Sequence, residues 1–139
     1  MKSAETNITK EVDRAKDAEN YAFKRINDIS NLITPINFTK VIGDPVFSIS
    51  GYRLGNIAMI QIHWVNEGSY PMNAWDGTKL ATMNFTVSRE CFLYCCENSG
   101  QDAFCTFSCS GNSIYYRSTN SRQIPQNCWH DGGGIIAGY

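Results

Sequence analysis

Six cysteines, two histidines and a handful of carboxylates are the residues of this 139-residue chain with covalent or proton-transfer chemistry in reach. The thiols stand at Cys91, Cys95, Cys96, Cys105, Cys109 and Cys128, with no C-x-x-C among them, so the usual zinc spacing is missing. An even count admits a disulfide framework. Alternation offers another account. Cys105, Phe107 and Cys109 share one face of a strand, Phe92, Tyr94 and Cys96 share a face of its neighbour, and the turn Glu97–Asp102 joins them as a hairpin. In that arrangement cysteine serves as a small apolar residue. Buried thiols, one or more disulfides and a metal site therefore all stay open as readings, in that order.

Other constellations are weaker. His63 lies in the middle of a long strand beside Trp64 and reads as a sheet-surface or interface residue; His130 follows Cys128-Trp129 with no nucleophile context around it. The carboxylates Asp44, Glu67, Asp76, Glu90, Glu97, Asp102 and Asp131 show no spacing that pairs an acid with a base. Gly132-Gly133-Gly134 lacks the Lys-Ser/Thr of a phosphate loop. No catalytic residue, metal or cofactor is expected. What remains is aromatic surface. A polar stretch from Asn66 to Gly77 carries Tyr70, Trp75 and Asp76, and a second group comprises Tyr115, Tyr116, Arg117 and Trp129, flanked by Asn120 and Arg122. Aromatic faces stack on sugar rings or protein side chains while neighbouring polar groups fix orientation, so these seven are the candidate ligand-binding residues. The competing account is that the same aromatics fill a core, which is the better reading for Trp64.

The elements that must position these groups divide sharply near Pro35. Residues 1–34 hold 12 charged side chains, six of each sign, while the following 105 residues hold 13 together with all 11 glycines and all six cysteines. The first segment has a heptad pattern: Ile8, Ala15, Ala22 and Ile29 at d, and Val12, Ile26 and Ile33 at a, with Glu19 interrupting the a series. This predicts a helix over 1–34 whose narrow apolar seam and charged flanks suit a coiled coil. Isoleucine at both a and d near its end favours three or more strands over two. Thr6 or Asn7 is expected to cap it and Pro35 to end it. Glu11 at g and Lys16 at e stand where neighbouring helices form ion pairs. The alternative is a single amphipathic helix packed on its own domain.

Beyond Pro35 the period becomes two. Strand-like runs are Val46–Ser50, Ile57–Val65, Leu80–Val87, Cys91–Cys96, Ala103–Cys109, Ser113–Arg117 and Gly134–Tyr139, with Gly51–Asn56 as a turn cluster. Many short strands and no second helix predict a compact antiparallel β-sandwich, jelly-roll-like or barrel head over 35–139. The formal net charge of −1 gives no basic surplus for nucleic acid. No apolar run is long enough to insert in a membrane, and the first residues lack the apolar core of a signal peptide.

The stretch from Ala4 to Asn20, with Glu11, Arg14, Ala15, Ala18 and Glu19 in register, resembles the Glu-x-x-Arg-Ala-x-x-Ala-Glu stalk segments of bacteriophage tail-fibre and baseplate proteins. The rest is similar in layout to their small C-terminal heads: Gly55-Asn56-Ile57 opens a strand, and a last strand follows Trp129 and ends at Tyr139. The cysteine-rich stretch 91–109 departs from that layout. The resemblance implies a homotrimer, a coiled-coil stalk carrying β heads, in a phage or prophage virion tail assembled in the bacterial cytoplasm. Its partners would be other tail or baseplate proteins and a host-surface glycan or protein, bound without catalysis. A non-binding structural component of the tail and a small hydrolase of surface polysaccharide are the alternatives.

Overall fold

The computed structural model describes residues 2–67, 77–98, 105–118 and 126–139. The chain is mainly β with one N-terminal helix, and it divides into two compact units, Met1–Ile33 and Thr34–Tyr139.

Helix α1 runs Lys2–Leu32 and contains no Gly or Pro. At about 1.5 Å per residue it is some 46 Å long. It begins earlier than the expected caps. Thr6 and Thr9 lie inside it and donate their hydroxyls back to the carbonyls of Lys2 and Glu5, the bond that a mid-helix threonine makes. The helix stops two residues before Thr34, whose conformation the Pro35 ring pushes out of the α region. No residue of α1 is buried; Ile8, Val12, Ile26 and Ile29 are all exposed along the seam, while Ile33, expected as its last a position, is exposed at the start of a strand instead. Glu11 pairs with Arg14 of its own helix at 3.2 Å.

The second unit is an antiparallel curled sheet of nine strands: β1 Ile33–Pro35, β2 Phe38–Lys40, β3 Phe47–Leu54, β4 Ile57–Asn66, β5 Gly77–Met83, β6 Cys91–Glu97, β7 Thr106–Ser110, β8 Ser113–Arg117 and β9 Cys128–Ala137. Their spatial order is β1-β3-β4-β9-β6-β7-β8-β5-β2. Two features curl it. The outermost strands, β1 and β2, are joined through only Ile36-Asn37, so the chain itself draws the two edges together. Strand β6 changes neighbours midway: Cys91–Leu93 pair with β7, and Tyr94–Glu97 pair with β9. One half of the sheet thus faces the other, and alternate residues of both halves fill the space between.

That space holds Phe47, Ile60, Ile62, Trp64, Leu80, Phe85, Leu93, Phe107, Ile114 and Tyr116. Trp64 of β4 meets Tyr116 of β8 edge-on at 5.4 Å, and His130 stacks on Trp64 at 4.8 Å. The indole N–H of Trp64 donates to Asp44 at 2.6 Å, which satisfies the polar end of a fully buried ring.

Several expected boundaries move. Gly51 is not in a turn but inside β3, buried, and only Gly55-Asn56 forms the β3–β4 turn. The last strand starts at Cys128, so the three glycines lie within β9, between β4 and β6. A side chain at Gly132 would stand 1.9 Å from the Tyr94 carbonyl oxygen and 2.9 Å from the Phe107 ring. Glycine here lets the backbones of β9 and β6 close where β6 crosses between the halves.

Candidate functional site

The outward face of β3, β4, β9 and the second part of β6 carries the most organised set of polar side chains in the described residues. Strand register sets its rows. Ser48 lies opposite His63, His63 opposite Asp131, and Asp131 opposite Cys96. The next row is Ser50, Gln61, Gly133 and Tyr94. On the β3, β4 and β9 part of these rows lies a groove of about 350 Å³ lined by Ser48, Ser50, Gln61, Ile62, His63, Asp131 and Gly132.

The centre of the groove is fixed by a bond of 2.5 Å between His63 Nδ1 and Asp131 Oδ1. That contact turns the other ring nitrogen, Nε2, away from the carboxylate and leaves it for another partner. Trp129 stands beside the groove, 53% exposed, with its ring edge-on to His63 at 5.7 Å. Its backbone is clamped from both sides by Asn98: the Trp129 N–H donates to Asn98 Oδ1 at 2.9 Å, and the Asn98 N–H donates to the Trp129 carbonyl at 3.2 Å. The groove therefore presents an imidazole–carboxylate pair, two hydroxyls and an amide, with a positioned aromatic plane beside it. Beyond it the same face turns apolar, through the rows Tyr52–Met59–Ile135 and Leu54–Ile57–Ala137, all exposed.

The residues expected to bind ligand are scattered by this arrangement. Tyr70, Trp75 and Asp76 lie outside the described residues. Trp129 is beside the groove, against His63. Tyr116, expected at a binding surface, is instead wholly buried, because its place in β8 points it inward, at Trp64 across the core and beside Phe107 of the neighbouring β7. Tyr115 and Arg117 project from the other side of β8, so they do not form one aromatic cluster with Trp129. Arg117 is engaged structurally: its Nε donates to Ser108 Oγ at 2.8 Å, its Nη2 pairs with Glu90 at 2.6 Å, and the guanidinium lies 5.8 Å from the Tyr115 ring centre. His130 and Cys128 are buried on the inner face of β9.

Ser48, Gln61, His63 and Asp131 were not expected as a group. A signal for them exists in the alternation: if Trp64 and His130 point inward, then His63 and both Trp129 and Asp131 point outward. The register that brings residue 63 against residue 131 is a long-range property with no local trace in either strand. Among the described residues no set of three or more metal-ligating side chains converges. Comparison with protein-family models, with curated proteins and with solved structures returns no match, so the site stands on its own geometry.

Proposed function

We propose that the chain is a self-associating attachment module: a homotrimer, held by α1 as a coiled-coil stalk, that displays β heads which bind a host-surface glycan or protein without chemical turnover. The observation that carries this is α1 itself. It is 31 residues long with no buried residue, its heptad seam is exposed along its length, and it leads into β1 with no linker. An isolated helix of that kind gains little from propensity alone and is stabilised chiefly by covering its apolar stripe. In a trimer each isoleucine of the seam packs against those of two other chains. The sandwich or jelly-roll character of the head rests on its run of short strands, and its place in a phage or prophage tail, with other tail or baseplate proteins as partners, rests on the stalk and layout resemblance.

The groove beside Trp129 supplies the binding surface. An indole face covers the apolar side of a pyranose ring, while His63, Asp131, Ser48, Ser50 and Gln61 match its hydroxyls. Three weak sites on one stalk raise avidity without any new contact. The test combines light scattering with a glycan array. A trimer mass, together with binding that falls at least tenfold in Trp129→Ala, supports the reading. A monomer, or binding unaffected by that substitution, refutes it.

One observation favours a second reading, hydrolysis of a surface polysaccharide or its ester groups. Ser48, His63 and Asp131 stand in the order of nucleophile, base and orienting carboxylate. Against it, β4 and β9 have strand partners on both sides, so their N–H groups are directed within the sheet plane and not at an oxyanion above the face. Ester or glycoside turnover abolished by Ser48→Ala would establish this reading over simple binding.

A further inference from the structure

The β6–β7 hairpin places four of the six cysteines in two directly opposed pairs. Cys91 pairs with Cys109 in the strand register, Leu93 with Phe107, and the same register continued sets Cys95 against Cys105. The Cys105 and Cys95 sulfurs stand 3.4 Å apart. All four thiols face inward. Cys109 belongs to the core and the other three pack against it, flanking Leu93 and Phe107 on both sides. The remaining two are elsewhere: Cys96 is exposed on the outer face, and Cys128 is buried with its sulfur on the Gln126 carbonyl at 3.6 Å.

We infer that Cys91–Cys109 and Cys95–Cys105 are two cross-strand disulfide sites, closed by exchange with a small-molecule disulfide when the protein leaves a reducing compartment. Directly opposed residues of an antiparallel pair stand about 4.5–5.5 Å apart at Cα. A disulfide spans about 4.4–6.8 Å, so the backbone needs no rearrangement. The Cys95–Cys105 sulfurs have only about 1.3 Å further to close. In each pair one thiolate attacks the small disulfide, forming a mixed disulfide and releasing one small thiolate. The opposed cysteine, after losing its proton to solvent, attacks the protein-side sulfur and expels the second. The protein loses two hydrogens per bridge and the small disulfide is reduced to two thiols.

The pairs differ from scattered core cysteines in what closure would achieve. Strand β6 is where the sheet passes from one half to the other, and it is held to β7 over only three residues in register. Two staples across β6 and β7 fix that crossing. Burial raises the Cys91 thiol, and burial with the neighbouring Cys91 raises Cys109 to about 12. The Cys91–Cys109 pair therefore persists as thiols at neutral pH without a supplied disulfide and closes faster as pH rises. A protein made in a cytoplasm and used outside the cell would fold first and be stapled afterwards. The assignment does not depend on the attachment reading.

The experiment is to purify the full chain reduced, incubate it at pH 8.5 with excess oxidised glutathione, block remaining thiols and map the linked peptides without reduction. The expected result is a mass loss of about 4 Da and two bridges, 91–109 and 95–105. The unfolding midpoint should rise by roughly 10 °C over the reduced protein. Cys96→Ser should leave both bridges intact, which separates Cys95 from its neighbour, and Cys91→Ser should keep 95–105 alone. Bridges through Cys96 or Cys128, stable glutathione adducts on the four paired cysteines, or no bridge at all would each overturn the assignment. A single bridge would overturn it for the other pair.

Discussion

At the scale of single residues, magnitudes separate groups that hold the fold from groups that present a surface. The His63–Asp131 pair is short but partly exposed, with side chains 38% and 58% accessible. Such pairs contribute about 0.2–1 kcal/mol to stability. We therefore expect Asp131→Ala to lower unfolding stability by no more than about 1 kcal/mol while weakening glycan binding at least tenfold; denaturant melts beside binding titrations check this. A stability loss of several kcal/mol, or unchanged binding, would place the pair in the scaffold instead. Cys109 behaves in the opposite way. Its thiol is held up at about 12 by burial and by Cys91, against an ordinary value of 9.0. Below pH 9 the thiol is protonated in both folded and unfolded chains and stability is unaffected. Between 9 and 12 only the unfolded chain releases the proton, so unfolding becomes easier as pH rises, by up to about 1.4 kcal/mol per pH unit. Denaturant melts of the reduced protein from pH 8 to 11 should show this slope, and Cys109→Ala, starting from a lower baseline, should flatten it. An equal slope in both proteins would assign the alkaline loss to other groups.

At the scale of elements, two glycines show why some of the architecture is legible in sequence and some is not. Gly55 has φ +60° in the β3–β4 turn, and a side chain there would meet nothing within 4 Å. Its substitution by alanine costs only the left-handed backbone, about 1–2 kcal/mol. Gly133 has φ +153° inside β9, and a side chain there would stand 2.1 Å from the Ile60 carbonyl oxygen. Gly133→Ala has no such open space and should cost at least about 3 kcal/mol, or prevent folding, in thermal melts run beside Gly55→Ala. Similar melting points for the two would contradict the close approach of β9 to β4. The turn at Gly55-Asn56 announces itself locally, as do α1 through its heptads, β4 through alternation from Ile57, and β8 at Ser113–Arg117. Trp64 was legible as core because it continues the Ile60, Ile62 series, which alternates with Gln61 and His63. The start of β9 at Cys128 was hidden because a run of glycines carries no alternation. The split in β6, the joining of the sheet edges through Ile36-Asn37, and the meeting of His63 with Asp131 depend on pairings 20 to 70 residues apart, which no window along the chain contains. The candidate site was legible only through Trp129.

At the scale of the whole molecule, Glu19 decides between a working seam and an accidental one. Among the a positions Val12, Glu19, Ile26 and Ile33 it is the charged member, and like the rest of α1 it is exposed in the single chain. In a three-stranded coil the same residue lies near the axis with two copies of itself, where each carboxylate loses water and repels the others. Replacing it with isoleucine removes that cost and adds buried surface. Glu19→Ile should therefore raise the stability of the assembly by about 1–3 kcal/mol per chain. Ile29→Asp places three charges where the seam is densest and should release monomers. Because association is bimolecular or higher, the melting point of the helical signal should rise with protein concentration in the parent chain. In Glu19→Ile it should start higher, and in Ile29→Asp it should be lost at concentrations where the parent is assembled. The head provides the control. Thr34–Tyr139 is a compact unit with its own buried core, so its unfolding transition should survive Ile29→Asp largely unchanged. If the helix instead lies on its own head, Glu19→Ile exposes more apolar surface and invites aggregation, and Ile29→Asp lowers the melting point of the head without changing the molar mass. Sedimentation and circular dichroism on the three proteins, each at two concentrations, distinguish these outcomes, and a concentration-independent helix would end the case for a stalk.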